Sequence, residues 1–208
     1  MKKILIKLSL LILLPLNIHA QKVGKMHKMQ WSEQPQLHNV KEEYKDESVV
    51  IIQDHRYLNY KTAYQSYIQY KTVHKIIKAN DEIGVKATNQ ISIAMRKTDV
   101  LLRLQVRTLS PSGKLTTLNQ SNIKQIKSEK GYNVRKFAVE GLEVGGEVEY
   151  IYTIESAMQS YGREYFQTQS PIQSAKFQLY MPSQITFLAK SYNGFADTKY
   201  KTYKPSKN

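Results

Sequence analysis

The chain has 208 residues and a formal net charge of +14 at pH 7, with 31 lysines and arginines against 17 acidic residues. It contains no cysteine, which excludes disulfides, thiolate zinc sites, a cysteine nucleophile and a lipid-modified cysteine. The positive charge would suit nucleic acid, anionic lipid or acidic glycans, but the lysines are scattered, as on a solvated surface.

Residues 1–20 have the order of a secretory signal peptide. Two lysines open the segment, an apolar run from Ile4 to Leu14 follows, and Pro15 then breaks it. The run is too short to span ~30 Å of hydrocarbon, which argues against a permanent anchor. We therefore expect cleavage after Ala20 and a mature chain that begins at Gln21. The expected location is extracytoplasmic, in the periplasm or outer cell envelope or secreted, with no nucleic-acid partner and no integral membrane segment after cleavage.

Residues 21–46 are polar and predict an extended N-terminal arm, since Pro35 would break a helix there. The chain's single tryptophan, Trp31, lies in this arm. We expect it to anchor the arm by packing on the core, because an indole carries a large apolar area. Contact with a ligand is the alternative.

Beyond the arm, the dominant hydrophobic period is two. One strand is predicted from Val49 towards Tyr60 and a second from Ser66 to Ile77, which together form a hairpin. The tyrosines between Tyr57 and Tyr70 also fit helical spacing. We prefer the hairpin, because both flanks are β-branched and tyrosine itself favours strands.

The clearest predicted strand runs from Asp99 to Leu109. Apolar residues alternate there with polar ones, which predicts one face on the core and one in solvent. The apolar set is Val100, Leu102, Leu104 and Val106, and the polar set is Arg103, Gln105 and Arg107. A turn at Ser110–Gly113 leads into a partner strand at Lys114–Thr117.

The remaining pattern predicts four more short strands, at Ile91–Ala94, Phe137–Val139, Val148–Ile154 and Lys176–Met181. A turn is expected at Asn80–Gly84 and one helical turn within Asn119–Lys127. About eight strands with short turns predict an all-β antiparallel β-sandwich with at most one short helix.

The strand Val148–Ile154 and the glycine-rich corner before it carry sharper expectations. Val148, Tyr150, Tyr152 and Ile154 should face the core, and Glu149 should face solvent. At the corner Gly141–Gly146, Gly145 should take a positive φ, while Leu142 and Val144 plug the end of the sandwich.

The histidines show no metal-ligand spacing. They are His27, His38, His55 and His74 in the mature chain, and none pairs at i, i+4. Only His55 and His74 are placed to meet, across the predicted hairpin. The chain also lacks a G-x-S-x-G elbow and a P-loop, and Gly145-Gly146 lacks the third glycine of a dinucleotide fingerprint. We predict no catalytic, cofactor-binding or metal-binding residue, no cofactor and no enzymatic activity.

Several stretches resemble the domain of unknown function 3857 family, found at the N-terminus of exported bacterial proteins that often carry a transglutaminase-like domain downstream. The matching stretches are Val73–Ile77, Leu109–Lys114, Ser170–Ile172, Leu179–Pro182 and especially Phe137–Tyr150, which reads FAVEGLEVGGEVEY. The resemblance covers about Glu47 to Asn193. It implies a β-sandwich domain over residues 47–193 without known catalytic residues, and a polar tail over residues 194–208 where longer relatives continue.

Two functions are expected from these observations. The first is a non-catalytic accessory domain that packs against or positions a neighbouring transglutaminase-like domain or envelope partner, and it should present an exposed apolar patch. The alternative is a glycan- or peptidoglycan-binding module, which should gather aromatic rings and polar groups in a groove.

Overall fold

The computed structural model describes residues 29–63, 65–127 and 132–202, in which nine strands form two sheets. The strands are β1 Val49–Ala63, β2 Ser66–Ala79, β3 Gln90–Arg96, β4 Val100–Leu109, β5 Leu115–Thr117, β6 Lys124–Lys127, β7 Tyr132–Ala138, β8 Glu147–Ala157 and β9 Ala175–Tyr180. One α-helix, α1 (Glu82–Thr88), and two 3-10 turns, Glu42–Tyr44 and Gln120–Asn122, complete the elements.

The large sheet has the strand order β5-β4-β8-β2-β1-β9 and the small sheet the order β3-β7-β6. All pairs of neighbouring strands are antiparallel except β1 and β9, which run parallel. The all-β sandwich prediction is confirmed, with β6 as the strand that the sequence pattern missed. The predicted leader and cleavage site lie outside the described residues, as do residues 21–28 of the arm and residues 203–208 of the tail.

The hairpin prediction is also confirmed. β1 and β2 pair along their full length, from Val49 opposite Ala79 to Ala63 opposite Ser66, with one irregularity between Ile51 and Gln53. The tyrosines of this region therefore belong to strands, because β-branched neighbours and cross-strand pairing outweigh their helical spacing.

The core lies between the small sheet and the β4–β8 half of the large sheet. Ile91, Ile93 and Met95 of β3 and Phe137 of β7 pack there against Leu104, Val106, Val148, Tyr150 and Ile154. We call the large-sheet face that carries these last five residues the inner face, and the opposite face the outer face. Tyr152 packs at the edge of the same cluster, so the predicted orientation of β8 is confirmed.

The predicted alternation in β4 is wrong at its N-terminal end. A register shift between Leu101 and Arg103 interrupts the pairing with β8. Leu101 packs against the core, whereas Val100 and Leu102 are 51% and 48% exposed. One extra residue in a strand moves every side chain before it to the other face.

The outer face is partly covered, contrary to the prediction that β4 and β8 have one face in solvent. Val40 and Tyr44 of the arm pack on Val50, Ile52 and Ile76 there. Arg107 and Glu149 are 5% and 9% exposed. The arm acts as a partial third layer, and strand periodicity alone does not reveal such a layer.

The two predicted corners differ from expectation in part. Asn80–Gly84 is not only a turn, since α1 begins at Glu82 and the Asp81 side chain accepts from the Gly84 backbone N–H. Gly145 has a φ of +78° as predicted. Val144, however, is 41% exposed and does not plug the sandwich, while Leu142 is half-buried.

Across residues 29–63, 65–127 and 132–202, no helix combines the length and apolar character needed to cross a membrane.

Candidate functional site

A charged cluster lies on the inner face where the small sheet does not cover β1 and β2. Asp54 of β1 is opposite Lys75 of β2, which is in turn opposite Tyr150 of β8. The Asp54 carboxylate is fully buried and accepts two hydrogen bonds from Arg56, of 2.9 Å from Nε and 2.8 Å from Nη2. Lys75 Nζ lies 3.0 Å from Asp54 Oδ2. The carboxylate therefore holds two cations in place.

A loop between β8 and β9 completes this cluster. Glu164 accepts from Arg56 Nη1 at 2.8 Å and from Lys71 Nζ at 2.5 Å. Arg56 also donates to the backbone carbonyl of Tyr165 at 3.0 Å. Its guanidinium lies 4.1 Å from the centre of the Phe166 ring. We call Asp54, Arg56, Lys71, Lys75 and Glu164 the inner cluster.

Titration in and beside the inner cluster follows from these contacts. Burial raises the pKa of Asp54, but the hydrogen bond from Arg56 and the charge of Lys75 outweigh it, so that this pKa lies below its ordinary value. Burial raises the pKa of the neighbouring Tyr152 to about 12, and it also raises the pKa of Tyr150. Near neutral pH, Asp54 is therefore an anion and both phenols are neutral.

A second cluster lies on the outer face under the arm. Glu149 accepts from His74 Nε2 at 2.6 Å and from Arg107 Nε at 2.6 Å. Arg107 is stacked 4.3 Å from the centre of the Trp31 ring and donates to the Ser32 carbonyl at 2.8 Å. We call His74, Arg107 and Glu149 the outer cluster. Trp31 thus anchors the arm on the sheet, although it does so on a cation rather than in the apolar core.

The next carboxylate along β8 holds the middle of the arm. Glu147 accepts from the His38 backbone N–H at 2.7 Å and from His38 Nδ1 at 2.8 Å. Lys78 Nζ donates to the His38 carbonyl at 2.7 Å. Further along, Gln173 accepts from the Lys41 N–H and donates to the Asn39 carbonyl. Side chains of β2, β4 and β8, together with Gln173 of the loop before β9, therefore fix the arm.

Glu149 of the outer cluster does not have the pKa shift of a general acid. In Glu149, hydrogen bonds from His74 and Arg107 outweigh the effect of burial and hold its pKa below the ordinary value, so it stays a paired anion. A general acid needs the opposite shift. The ion pairs of Glu149 with His74 and Arg107 therefore favour a structural role for this carboxylate.

The described histidines have different partners. His55 and His74 are opposite each other in the β1–β2 register, as predicted, but His55 is hydrogen-bonded to Ser174 and His74 to Glu149. No group of three or more histidine, aspartate or glutamate side chains in the described part of the chain is placed to hold a metal ion. His27 lies outside that part. The absence of catalytic, cofactor and metal sites remains a prediction.

An exposed aromatic surface lies beside the inner cluster. Tyr161, Tyr165 and Tyr192 are 83%, 66% and 67% exposed. A hydrogen bond with Tyr165 and the charges of the nearby Tyr192 and Tyr161 phenols raise the pKa of Arg163, so the three phenol groups lie near its side chain. We call Tyr161, Arg163, Tyr165 and Tyr192 the tyrosine surface.

One contact between rings and one hydrogen bond between amides join the two segments that carry this surface. Phe166 and Phe195 stack at 4.9 Å between centroids, and Asn193 donates to Gln167 at 3.2 Å. The irregular segments on either side of β9 therefore lie side by side. Sequence reasoning missed the surface because the two segments are far apart in the chain and neither shows a period.

The structure also has an open depression of about 500 Å³ near the β1–β2 turn, lined by Ser66, Tyr67, Ile68, Ala157, Met158 and Ser160. Tyr67 is the one aromatic residue of that lining. A smaller cavity of about 10 Å³ beside β4 and β5 has the volume of roughly one water molecule.

The sequence analysis also missed the residues of the inner cluster, although the spacing of two of them was a usable signal. Asp54 and Arg56 stand two apart within a strand, so both side chains point to the same face. An acid and a base at that spacing in a predicted strand indicate an ion pair on one face of the sheet.

Comparisons with known proteins bear on the fold and the family. The crystal structure of a "putative protease from Parabacteroides distasonis" matches with a TM-score of 0.58 at 12% sequence identity, over 66% of this chain and 29% of that one. The chain thus spans under a third of that longer protein, and at this identity the likeness shows the fold alone. No curated protein matches the sequence.

A family model described as "Domain of Unknown Function with solved-structure structure (DUF3857)" matches residues 65–208, from the β1–β2 turn onwards. The match includes β2 to β9, the tyrosine surface and the FAVEGLEVGGEVEY motif. The chain therefore belongs to the domain of unknown function 3857 family.

Proposed function

We propose that this protein is a non-catalytic accessory domain of the extracytoplasmic space, which packs against a neighbouring transglutaminase-like domain or another envelope protein. The observation that carries the proposal is the tyrosine surface. Its three tyrosines are largely exposed on two segments that lie side by side, and aromatic side chains grouped in this way mark interaction sites.

The composition of this surface suits protein docking. Tyrosine and arginine are enriched among the residues that contribute most to binding between proteins, because both bury a large area with few conformers. The surface lies on irregular segments that are stacked on a rigid sheet through Phe166 and Arg56. Binding residues are commonly presented in this way.

Two further observations support an accessory role over catalysis. A similar fold occupies 29% of a longer protein, which fits a module that accompanies other domains. In addition, the most deeply buried carboxylates, Asp54, Glu147 and Glu149, are paired with cations or histidines that hold the chain together.

The alternative is a glycan- or peptidoglycan-binding module, and the same surface is the reason to retain it. Exposed tyrosine rings offer apolar faces on which sugars can stack, and Arg163 offers a donor to an acidic group. The tyrosines near Arg163 are exposed side by side rather than gathered in a groove, whereas the depression near the β1–β2 turn has only Tyr67 as an aromatic lining residue. Docking to a protein is therefore the better-supported function.

The test replaces Tyr161 or Tyr192 by a photo-crosslinking phenylalanine derivative in the full chain, in its native host. The control replaces Tyr132, a similarly exposed tyrosine on β7. We expect irradiation to attach a protein at Tyr161 and Tyr192 but not at Tyr132. Arg163→Ala should weaken the crosslink several-fold.

Two results would count against protein docking. One is equal crosslinking at all three positions. The other is that the purified chain sediments with isolated peptidoglycan and loses this binding on Tyr161→Ala and Tyr192→Ala, which would establish the alternative.

A further inference from the structure

The inner cluster holds one carboxylate in the manner of a bound ligand. Glu164 is the only member of the cluster that does not belong to β1 or β2. One of its oxygens is bound by Arg56 and the other by Lys71, at 2.8 and 2.5 Å. Two cations on two oxygens form a geometry in which proteins recognise carboxylates.

Of the two cations that bind Glu164, Arg56 is positioned by the sheet independently of Glu164. Asp54 holds both Arg56 Nε and Nη2, as well as Lys75. All four sheet residues stand on adjacent strands that pair over their whole length. Such preorganisation lowers the cost of binding an external group.

The charge balance also favours an anion at this place. The sheet contributes Arg56, Lys71 and Lys75 but only the carboxylate of Asp54. Without Glu164, this face would carry two uncompensated positive charges. The site is also reachable, since the Lys71 side chain retains 29% of its exposure.

The loop that supplies Glu164 lacks regular structure and is largely solvated. Residues 158–174 contain no strand or helix, and Tyr161 and Tyr165 on either side of Glu164 are exposed. Glu164, the Tyr165 carbonyl and the Phe166 ring all contact Arg56. An external carboxylate that replaced Glu164 would therefore release this part of the loop from the sheet.

We propose that Arg56 and Lys71 form a carboxylate-binding site, which Glu164 occupies as an internal ligand in this structure. The external ligand is a peptide that carries a carboxylate next to an aromatic or apolar side chain. Phe166 shows where that side chain would lie, over the face of the Arg56 guanidinium. The site shares its loop with Tyr161 and Tyr165 of the tyrosine surface, but its tests measure the binding of acetate and of a peptide rather than crosslinking, so that either proposal can fail alone.

The first test uses the full chain with Glu164→Ala and measures the melting temperature in sodium acetate and in sodium chloride at equal ionic strength. We expect acetate to raise the melting temperature of the variant, because a ligand that binds only the folded state stabilises it. The parent should respond at least tenfold more weakly at the same acetate concentration. Glu143→Ala, which removes an exposed acid elsewhere, is the control for charge and should behave as the parent.

The second test uses a synthetic peptide of residues 160–167 and its counterpart in which glutamine replaces the glutamate. The Glu164→Ala variant should bind the first peptide at least tenfold more tightly than the second, and Lys71→Met in the same variant should abolish the difference. If Glu164→Ala does not fold, Glu164→Gln takes its place in both tests.

Equal responses of the Glu164 and Glu143 variants to acetate would overturn the proposal. So would equal affinity for the two peptides. A larger response to inorganic phosphate than to acetate would overturn the assignment to carboxylates.

Discussion

At the scale of single residues, Glu149 occupies a position that the strand pattern predicts to be exposed, but the arm buries it. It alternates with core residues on β8, and its side chain pairs with His74 and Arg107 under the arm. Removal of one partner from a buried ion pair leaves the others without compensation.

We therefore expect Glu149→Ala to lower the free energy of unfolding by about 3 kcal/mol, which reverses the expectation from the strand pattern alone. Urea denaturation measures this loss. The exposed Glu143→Ala on the preceding corner should stay within about 0.5 kcal/mol of the parent. A ranking with Glu143 as the costlier site would show that the arm does not cover this face in solution.

The carboxylates of Glu149 and Asp54 make the free energy of unfolding depend on pH. The pKa values of Glu149 and Asp54 are lowered from 4.5 and 3.8 in the folded protein. Their contribution is present above these ordinary values and is lost as the pH falls through the lower folded values. The free energy of unfolding should therefore decline below about pH 4.5, and Glu149→Gln should make that decline shallower. An unchanged pH dependence in the variant would contradict the assigned direction for Glu149.

At the scale of elements, sequence patterns predicted the features that depend only on residues close together in the chain. The β1–β2 hairpin and the orientation of β8 follow from period-two alternation, which each strand carries by itself. The register shift in β4 did not follow, because the sequence of a strand does not show which of its residues has no partner in the neighbouring strand. The contact of His38 with Glu147 and the pairing of Glu164 with Arg56 join residues more than 100 positions apart, and no local pattern encodes such contacts.

The corner before β8 gives a prediction at this scale. A Cβ on Gly146 would lie 2.9 Å from the Glu143 carbonyl oxygen and 3.0 Å from that of Leu109. Backbone on both sides leaves little room to adjust, so Gly146→Ala should cost about 1–3 kcal/mol. Gly162→Ala, where nothing lies within 4 Å, should stay within about 0.5 kcal/mol of the parent. Thermal denaturation of both variants compares them, and equal losses would refute the close approach.

At the scale of the whole molecule, the two sheets share one core on the β4–β8 half. Tyr150 lies in that core at 8% exposure, and its ring stacks on Tyr152 at 6.3 Å. Tyr150→Ala should therefore lower the free energy of unfolding by about 3 kcal/mol, as measured in urea. Tyr132→Ala on the exposed side of β7 is the matched control and should cost far less. A loss at Tyr150 no larger than at Tyr132 would place the core elsewhere.

The position of β1 has a consequence for how the chain folds. β1 follows the arm directly, yet its second neighbour in the sheet is β9, near the other end of the described chain. During synthesis the β1–β2 hairpin is therefore complete early, while one edge of β1 and the Arg56 side chain lack their partners until residues 164–180 emerge. Because such distant contacts must form before they repay the entropy of closing long loops, we expect slow refolding on the millisecond-to-second scale. Until then the hairpin exposes a free strand edge, and such edges are prone to pair with another copy of the chain.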